Sequence, residues 1–293
     1  MKITDNREKL VIQSVVGKIH HPTISRSGEV KTGHDGASFV LPSVGGITYN
    51  VAIGDCVYDK FCDHVEPGVT IRNPDDRENG ALVSLACVGN TATVVSGDAK
   101  GAKGIVTGFH GGIDHTICWF SNEDMEKMLP EDKIAVRAYG QGLSVNEIPE
   151  IKLTGIDPEL FEKMGLSIDG GCLSVPVTAI VPSHLIGAGQ GCGSAYNGDC
   201  DLMTADWEEI KKYKLDALRY GDIVFMENTD HSYGRGFLSG AVTVGVVVHS
   251  DCVIAGHGPG ITTIMTCKTS LIKPVMDSEA NIGKYLNIGR WSK

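Results

Sequence analysis

YGDIVFMENTDHSYGRGFLSGAVTVGVVVHSDCVIAGHGPG, residues 220–260, carries the clearest structural pattern in the chain. Val242, Val244, Val246 and Val248 alternate as the buried face of a β-strand does. Continuing that period places His249 and Asp251 together on the opposite face. Upstream, Asp230-His231-Ser232-Tyr233-Gly234-Arg235-Gly236 is a polar turn at a strand end. Downstream, Gly256-His257-Gly258-Pro259-Gly260 holds an imidazole on a loop too rich in glycine to pack for its own sake. Polar side chains gathered at the ends of apolar strands are where sites are built.

The same reading extends outward. Short strands are expected at 47–51, 55–58, 82–88, 91–95, 104–107 and 173–181, separated by turn residues. Gly111-Gly112 marks a hairpin tip flanked by His110 and His115. Helices are few: Ser121 and Asp157-Pro158 are helix starts, and Thr204 or Asp206 opens a third. The expected fold is α+β and mainly β, with short-stranded, barrel-like sheets and a few interspersed helices. The polar stretch 140–149 suggests a boundary between a β-rich part, residues 1–140, and an α+β part, residues 141–293, that carries the His/Asp cluster. Ile53-Gly54-Asp55-Cys56-Val57 and Tyr220-Gly221-Asp222-Ile223-Val224 share a Gly-Asp turn leading into an apolar run; two related barrels or coincidence explain it equally well.

Composition limits the function. The 293 residues suffice for a substantial core, and 42% hydrophobic with 21% charged residues is ordinary for a folded protein. A net charge of −10 without a Lys/Arg run argues against nucleic acid and anionic membrane as partners. The start MKITDNREKL lacks an apolar signal core, so a cytoplasmic protein is expected. Nine scattered cysteines without a C-x-x-C pair read as reduced thiols, with Cys192 and Cys252 the only ones placed to act as nucleophiles.

GAGQGCGSAYNGDCDL (187–202), RYGDIVFMENTDHSYGRG (219–236), GAVTVGVVVHSDCVIAGHGPGITT (240–263) and GAKGIVTGFHGGIDH (101–115) resemble the bacterial family of domain of unknown function 4438. The resemblance covers most of the chain and implies a two-part, β-rich bacterial cytosolic protein, with no activity attached. A weaker resemblance, in GDCDL (198–202) and VVVHSD (246–251), is to the acetamidase/formamidase family. There the order of Asp and His differs from the amidase order, and no amidase residue carries over.

His231, His249, Asp251 and His257 are the candidate ligands for zinc or a similar divalent ion, which would activate a water and polarise a carbonyl. Turn-capping roles are the competing explanation for these side chains. His249, Asp251, His231 and Asp230 are the catalytic candidates, since an imidazole oriented by a carboxylate serves acid–base chemistry. Arg235 suits a substrate carboxylate, Tyr233 offers a hydroxyl, and Gly189 and Gly191 let backbone approach a ligand. His110 and His115 are held as further members. The expected function is metal-assisted hydrolysis or lysis of a small polar, amide-like metabolite. The alternative is a non-catalytic small-molecule binder or oligomeric scaffold, and in both cases a homo-oligomer is expected.

Overall fold

The Gly111-Gly112 turn folds the strand Lys103–His110 back onto His115–Trp119, with His110 paired to His115 in register. The computed structural model describes residues 3–24 and 30–292. From this hairpin an antiparallel sheet continues to Gly68–Arg72 on one side and to Thr91–Val94 and Lys133–Ala138 on the other. Gln13–Ile19 pairs with both Lys133–Ala138 and Gly68–Arg72, closing a six-stranded barrel. Closure removes the exposed edges that an open sheet of these strands would carry. Ile47–Thr48 is appended to Gly68–Arg72.

The second large sheet runs Lys152–Leu153, Gly260–Cys267, Gly236–Val247, Ile223–Asp230, Ala179–Val181, with Cys200–Asp201 also paired to Gly260–Cys267. All of its pairings are antiparallel except that between Ala179–Val181 and Ile223–Asp230. A small sheet of Ser167–Asp169, Cys172–Val177 and Ile272–Met276 lies apart. The fold is mainly β with few helices, as the alternation and turn residues indicate.

Three helix starts lie where the capping residues place them. Ser121 accepts from the Asp124 N–H, Asp157 from that of Glu159, and Asp206 from that of Glu209. Residues 82–88 differ from expectation. They are the end and exit of a helix, Asp76–Leu85, whose cap Asp75 accepts from the N–H groups of Arg77 and Glu78. The cap fixes the helical phase, and Leu82 and Val83 then face the core. Residues 55–58 form no strand either; Cys56 makes an isolated bridge to Arg219.

The echoing Gly-Asp turns meet each other. Gly54 N–H donates to Tyr220 O, Tyr220 N–H to Asp55 O, and Val57 N–H to Leu218 O. The barrel and the second sheet therefore share backbone hydrogen bonds, and one continuous apolar core runs from Val15 to Ile288. No helix among the described residues is long and apolar enough to cross a membrane.

The Gly236–Val247 strand also departs from simple alternation. Every residue from Ala241 to Ser250 is buried, so both faces are covered and the valine period does not separate core from solvent. The strand ends at Val247; His249 and Asp251 follow in irregular backbone, beyond the reach of the period-2 rule.

Candidate functional site

Four segments converge where the barrel rim meets the second sheet. The strand end Lys103–His110 delivers His110, and the turn before Gly68–Arg72 delivers His64. The exit of Gly236–Val247 supplies His249, and the short strand Cys200–Asp201 supplies Asp201 with Asp199 just before it. The 256–260 loop adds His257. One ring nitrogen of each of His64, His110 and His249 lies within 4.8 Å of the other two, and the same holds for donor atoms of Asp199, Asp201 and His249. All five of these side chains are buried.

Each of the three buried imidazoles is held from behind. His64 Nδ1 donates to Asp63 Oδ1 at 2.8 Å, His110 Nδ1 to Glu66 Oε1 at 2.6 Å, and His249 Nδ1 to the Ser250 carbonyl at 2.9 Å. In the neutral imidazole these acceptors place the proton on Nδ1, so Nε2 is the atom that faces the cluster and would ligate an ion in place of a second proton. Carboxylate or carbonyl behind imidazole is the arrangement that orients metal-ligating histidines. Asp199 is held likewise: Gly111 N–H donates to Oδ1 at 2.8 Å. Its Oδ2 lies 2.9 Å from His249 Nε2 as an ion-pair contact, and neither atom makes a hydrogen bond of good geometry. Two buried polar atoms without partners are costly unless something else satisfies them.

His64 has φ +58°, the left-handed region that costs a non-glycine residue roughly 1–2 kcal/mol. Asp63, which bonds His64, also accepts from Lys31 Nζ at 2.6 Å and Cys252 Sγ at 2.9 Å. Glu66 takes His115 Nδ1 at 3.0 Å as well as His110, and Thr70 and the Gly45 N–H complete its shell.

Burial opposes charge on every member, but the pairings outweigh it for most. Asp199 and Asp201 hold the His249 pKa well above the ordinary imidazole value. The imidazoles of His249, His257 and His64 hold Asp201 well below the carboxylate range. His115 and His110 do the same for Glu66. His110 goes the other way, lowered by burial and by the charge on His249. The pocket is thus built for charged donors, and a mixed N/O donor set of this kind can hold a divalent ion.

A cavity of about 350 Å³ opens onto these groups, lined by His64, His110, Asp199, Asp201 and His257 together with Gly189, Asn197 and Arg235. Arg235 is 4% exposed; its guanidinium donates to the Asn197 carbonyl, its Nε has no partner, and no carboxylate pairs with it among the described residues.

The side chains of the other candidates make their own contacts, although the Asp251 carbonyl accepts from the His64 N–H. His231 is buried with Nδ1 on Thr263 Oγ1 at 2.7 Å, and burial followed by the Arg235 charge lowers its pKa to about 3. Asp251 accepts from Thr204 Oγ1 at 2.6 Å and from the Cys252 N–H at 2.8 Å, while Asp230 accepts from the Ser232 N–H at 3.0 Å. Tyr233 is exposed under the Lys152 ammonium, and Gly191 N–H donates to the Arg235 carbonyl. His115 adjoins the cluster across the hairpin from His110 and shares Glu66 with it. Burial, then Asp63, pushes the Cys252 thiol up, away from the thiolate a nucleophile needs.

Valine alternation points to none of His64, Asp199 and Asp201. Their local signals are Asp63-His64-Val65-Glu66, an imidazole bracketed by acids, and Asp199-Cys200-Asp201, two acids at the spacing that shares a strand face.

Two family models cover the chain: "Domain of unknown function (DUF4438), N-terminal" over residues 30–162 and the corresponding C-terminal domain over residues 163–286. A solved structure described as "Crystal structure of TM1086" is 43% identical, with a TM-score of 0.91, covering 97% of this chain and 99% of that one. Among curated proteins no significant match is found.

Proposed function

The chain belongs to the DUF4438 family, and from that premise we propose that it is a metal-dependent hydrolase of a small, polar, amide-like metabolite. The observation that carries this reading is the pair of partnerless buried atoms, His249 Nε2 and Asp199 Oδ2, in a cluster that opens onto a cavity of about 350 Å³. A divalent ion such as zinc, held by His249, Asp199, Asp201 and His110, would satisfy both atoms and supply an activated water and a polarised carbonyl. Water adds to the amide carbon, the C–N bond breaks, and the departing nitrogen takes the proton, giving a carboxylic acid and an amine.

The chain's own groups do the positioning. Arg235 lines the same cavity as the donor cluster and suits a substrate carboxylate, since a guanidinium binds one through two parallel hydrogen bonds. Gly189 lines the same wall and brings backbone within reach of the ligand. His231, within reach of the Arg235 charge, is assigned a supporting part, as is Asp251, whose bond to Thr204 ties down the segment after His249. Tyr233, Phe237 and Leu238 form an exposed apolar stretch beside the Arg235 turn. In this reading, subunits of a homo-oligomer meet there, which sedimentation of wild type and Phe237→Glu would test.

The deciding experiment is metal analysis of purified protein together with a panel of small amides, with and without a carboxylate. Expected are bound zinc or a similar ion, hydrolysis lost to a chelator and restored by Zn²⁺, and a preference for carboxylate-bearing amides that Arg235→Gln removes. Metal-free protein that neither takes up Zn²⁺ nor turns over any amide would leave the non-catalytic binder as the better reading.

A further inference from the structure

We infer that the site holds two divalent ions, bridged by the Asp201 carboxylate, rather than one. The inference rests on the metal-dependent reading above and adds to it a second ion with its own ligands: His64, His257 and one oxygen of Asp201.

The geometry divides the donors into two sets. Asp201 Oδ1 faces His249 Nε2 at 3.6 Å, and that nitrogen stands 2.9 Å from Asp199 Oδ2. Asp201 Oδ2 faces the other way, 3.4 Å from His64 Nε2 and 2.9 Å from His257 Nδ1, with those two nitrogens 3.1 Å apart. Ligands about 2.1 Å from a tetrahedral ion stand roughly 3.4 Å from one another, and somewhat closer in an octahedral shell. These separations, 2.9–3.6 Å, match the edges of such coordination shells, with direct hydrogen bonds and ion-pair contacts spanning them between the donors themselves. Six donors around one ion would not divide so cleanly between the two oxygens of one carboxylate. A carboxylate that gives one oxygen to each of two ions sets them at the roughly 3.5–4 Å typical of paired-metal hydrolytic sites.

The surroundings fit the second ion as well as the first. Asp63 fixes His64 Nδ1, so Nε2 is free to ligate, and the left-handed backbone at His64 is what turns the ring into the cluster. His257 Nδ1, which donates to Asp201 Oδ2, sits where an ion would replace the shared proton. Cys252 Sγ is within ligand range of His64 and His257, but its thiol donates to Asp63 Oδ1, so it acts by holding Asp63. Asp199 and Asp201 lie among the ligands and Asp63 and Glu66 behind them; with Lys31 already paired to Asp63, the local charge stays strongly negative, as cation binding requires.

The test uses the full chain, stripped with a chelator and equilibrated with Mn²⁺ or Zn²⁺ in separate samples. Stoichiometry is read by equilibrium dialysis, coupling by the Mn²⁺ electron paramagnetic resonance spectrum, and folding by the melting curve. Wild type should bind two ions per chain with a spin-coupled Mn²⁺ signal. His257→Ala, a change on a partly exposed loop, should keep the fold and the first ion and lose the second at least tenfold in affinity, leaving an uncoupled signal. One ion per chain in wild type overturns the two-ion inference while the single-metal reading stands. No ion overturns both, and two ions retained in folded His257→Ala overturns the ligand set assigned here.

Discussion

His249 Nε2 stands 2.9 Å from Asp199 Oδ2, both atoms fully enclosed, and no hydrogen bond joins them or satisfies either one. Gly111 N–H fixes the other oxygen of Asp199, and the Ser250 carbonyl fixes the other nitrogen of His249. Each group is thus anchored by its far atom, and the two free atoms meet in an enclosed space.

Asp199 and Asp251 should therefore respond differently to the same isosteric change. Asp199→Asn is expected to empty the ion position at His249 with little change in melting temperature. Asp251→Asn weakens the bonds from Thr204 and the Cys252 N–H, costing about 1 kcal/mol, and leaves metal content unchanged. Metal analysis beside thermal melts checks both. Metal lost from the Asp251 variant and kept by the Asp199 variant would move the site.

Gly260 leaves the space that the cluster occupies. A Cβ there would collide with Asp199 Oδ2 and His249 Nε2. Gly260→Ala is expected to cut Zn²⁺ affinity more than tenfold. Gly80, within the helix Asp76–Leu85 and with open space around it, is the control: Gly80→Ala should bind metal normally and gain roughly 0.5–1 kcal/mol. Equal affinities in the two variants would argue against the site.

His231 makes stability depend on pH in one direction. Its folded pKa, about 3, lies below the ordinary imidazole value of 6.5. The unfolded chain thus gains a proton that the folded chain refuses as pH falls below about 6.5. Stability contributed by neutral His231 is full above that value and declines steadily toward pH 3, by on the order of a few kcal/mol. His231→Gln should flatten this part of the stability profile in urea titrations between pH 7 and pH 4. Parallel profiles for the two proteins would show that His231 titrates normally.

The barrel and the second sheet are expected to unfold together. The bonds from Gly54, Val57 and Val88 to the other half, with Phe109 N–H donating to Thr262 Oγ1, cross between them at several points. Limited proteolysis, within the 140–149 stretch included, should give no pair of fragments that fold separately, and the melt should be a single transition. Two stable, non-associating fragments cleaved between 138 and 163 would show independent domains.

Much of the architecture was legible in the chain because it is set by neighbours. A cap acts within one turn, so Ser121, Asp157 and Asp206 mark their helices unaided. Turn glycines and short apolar runs mark a mainly β fold, and of the polar residues in the 220–260 stretch Arg235 and His257 line the cavity. The helix Asp76–Leu85 escaped because its apolar end, read alone, suits a strand equally well; its cap Asp75 lies seven residues before Leu82. The site depended on distance. The period that pairs His249 with Asp251 holds only inside a strand, and this one stops at Val247. His64 and His110 reach His249 from the barrel, and Asp199 comes from a loop pinned by the Gly111 N–H. No local rule links residues 64, 110, 199 and 249. Closure of the barrel and its hydrogen bonds to the second sheet bring them within a few ångströms, so only the tertiary structure decides which imidazoles come together.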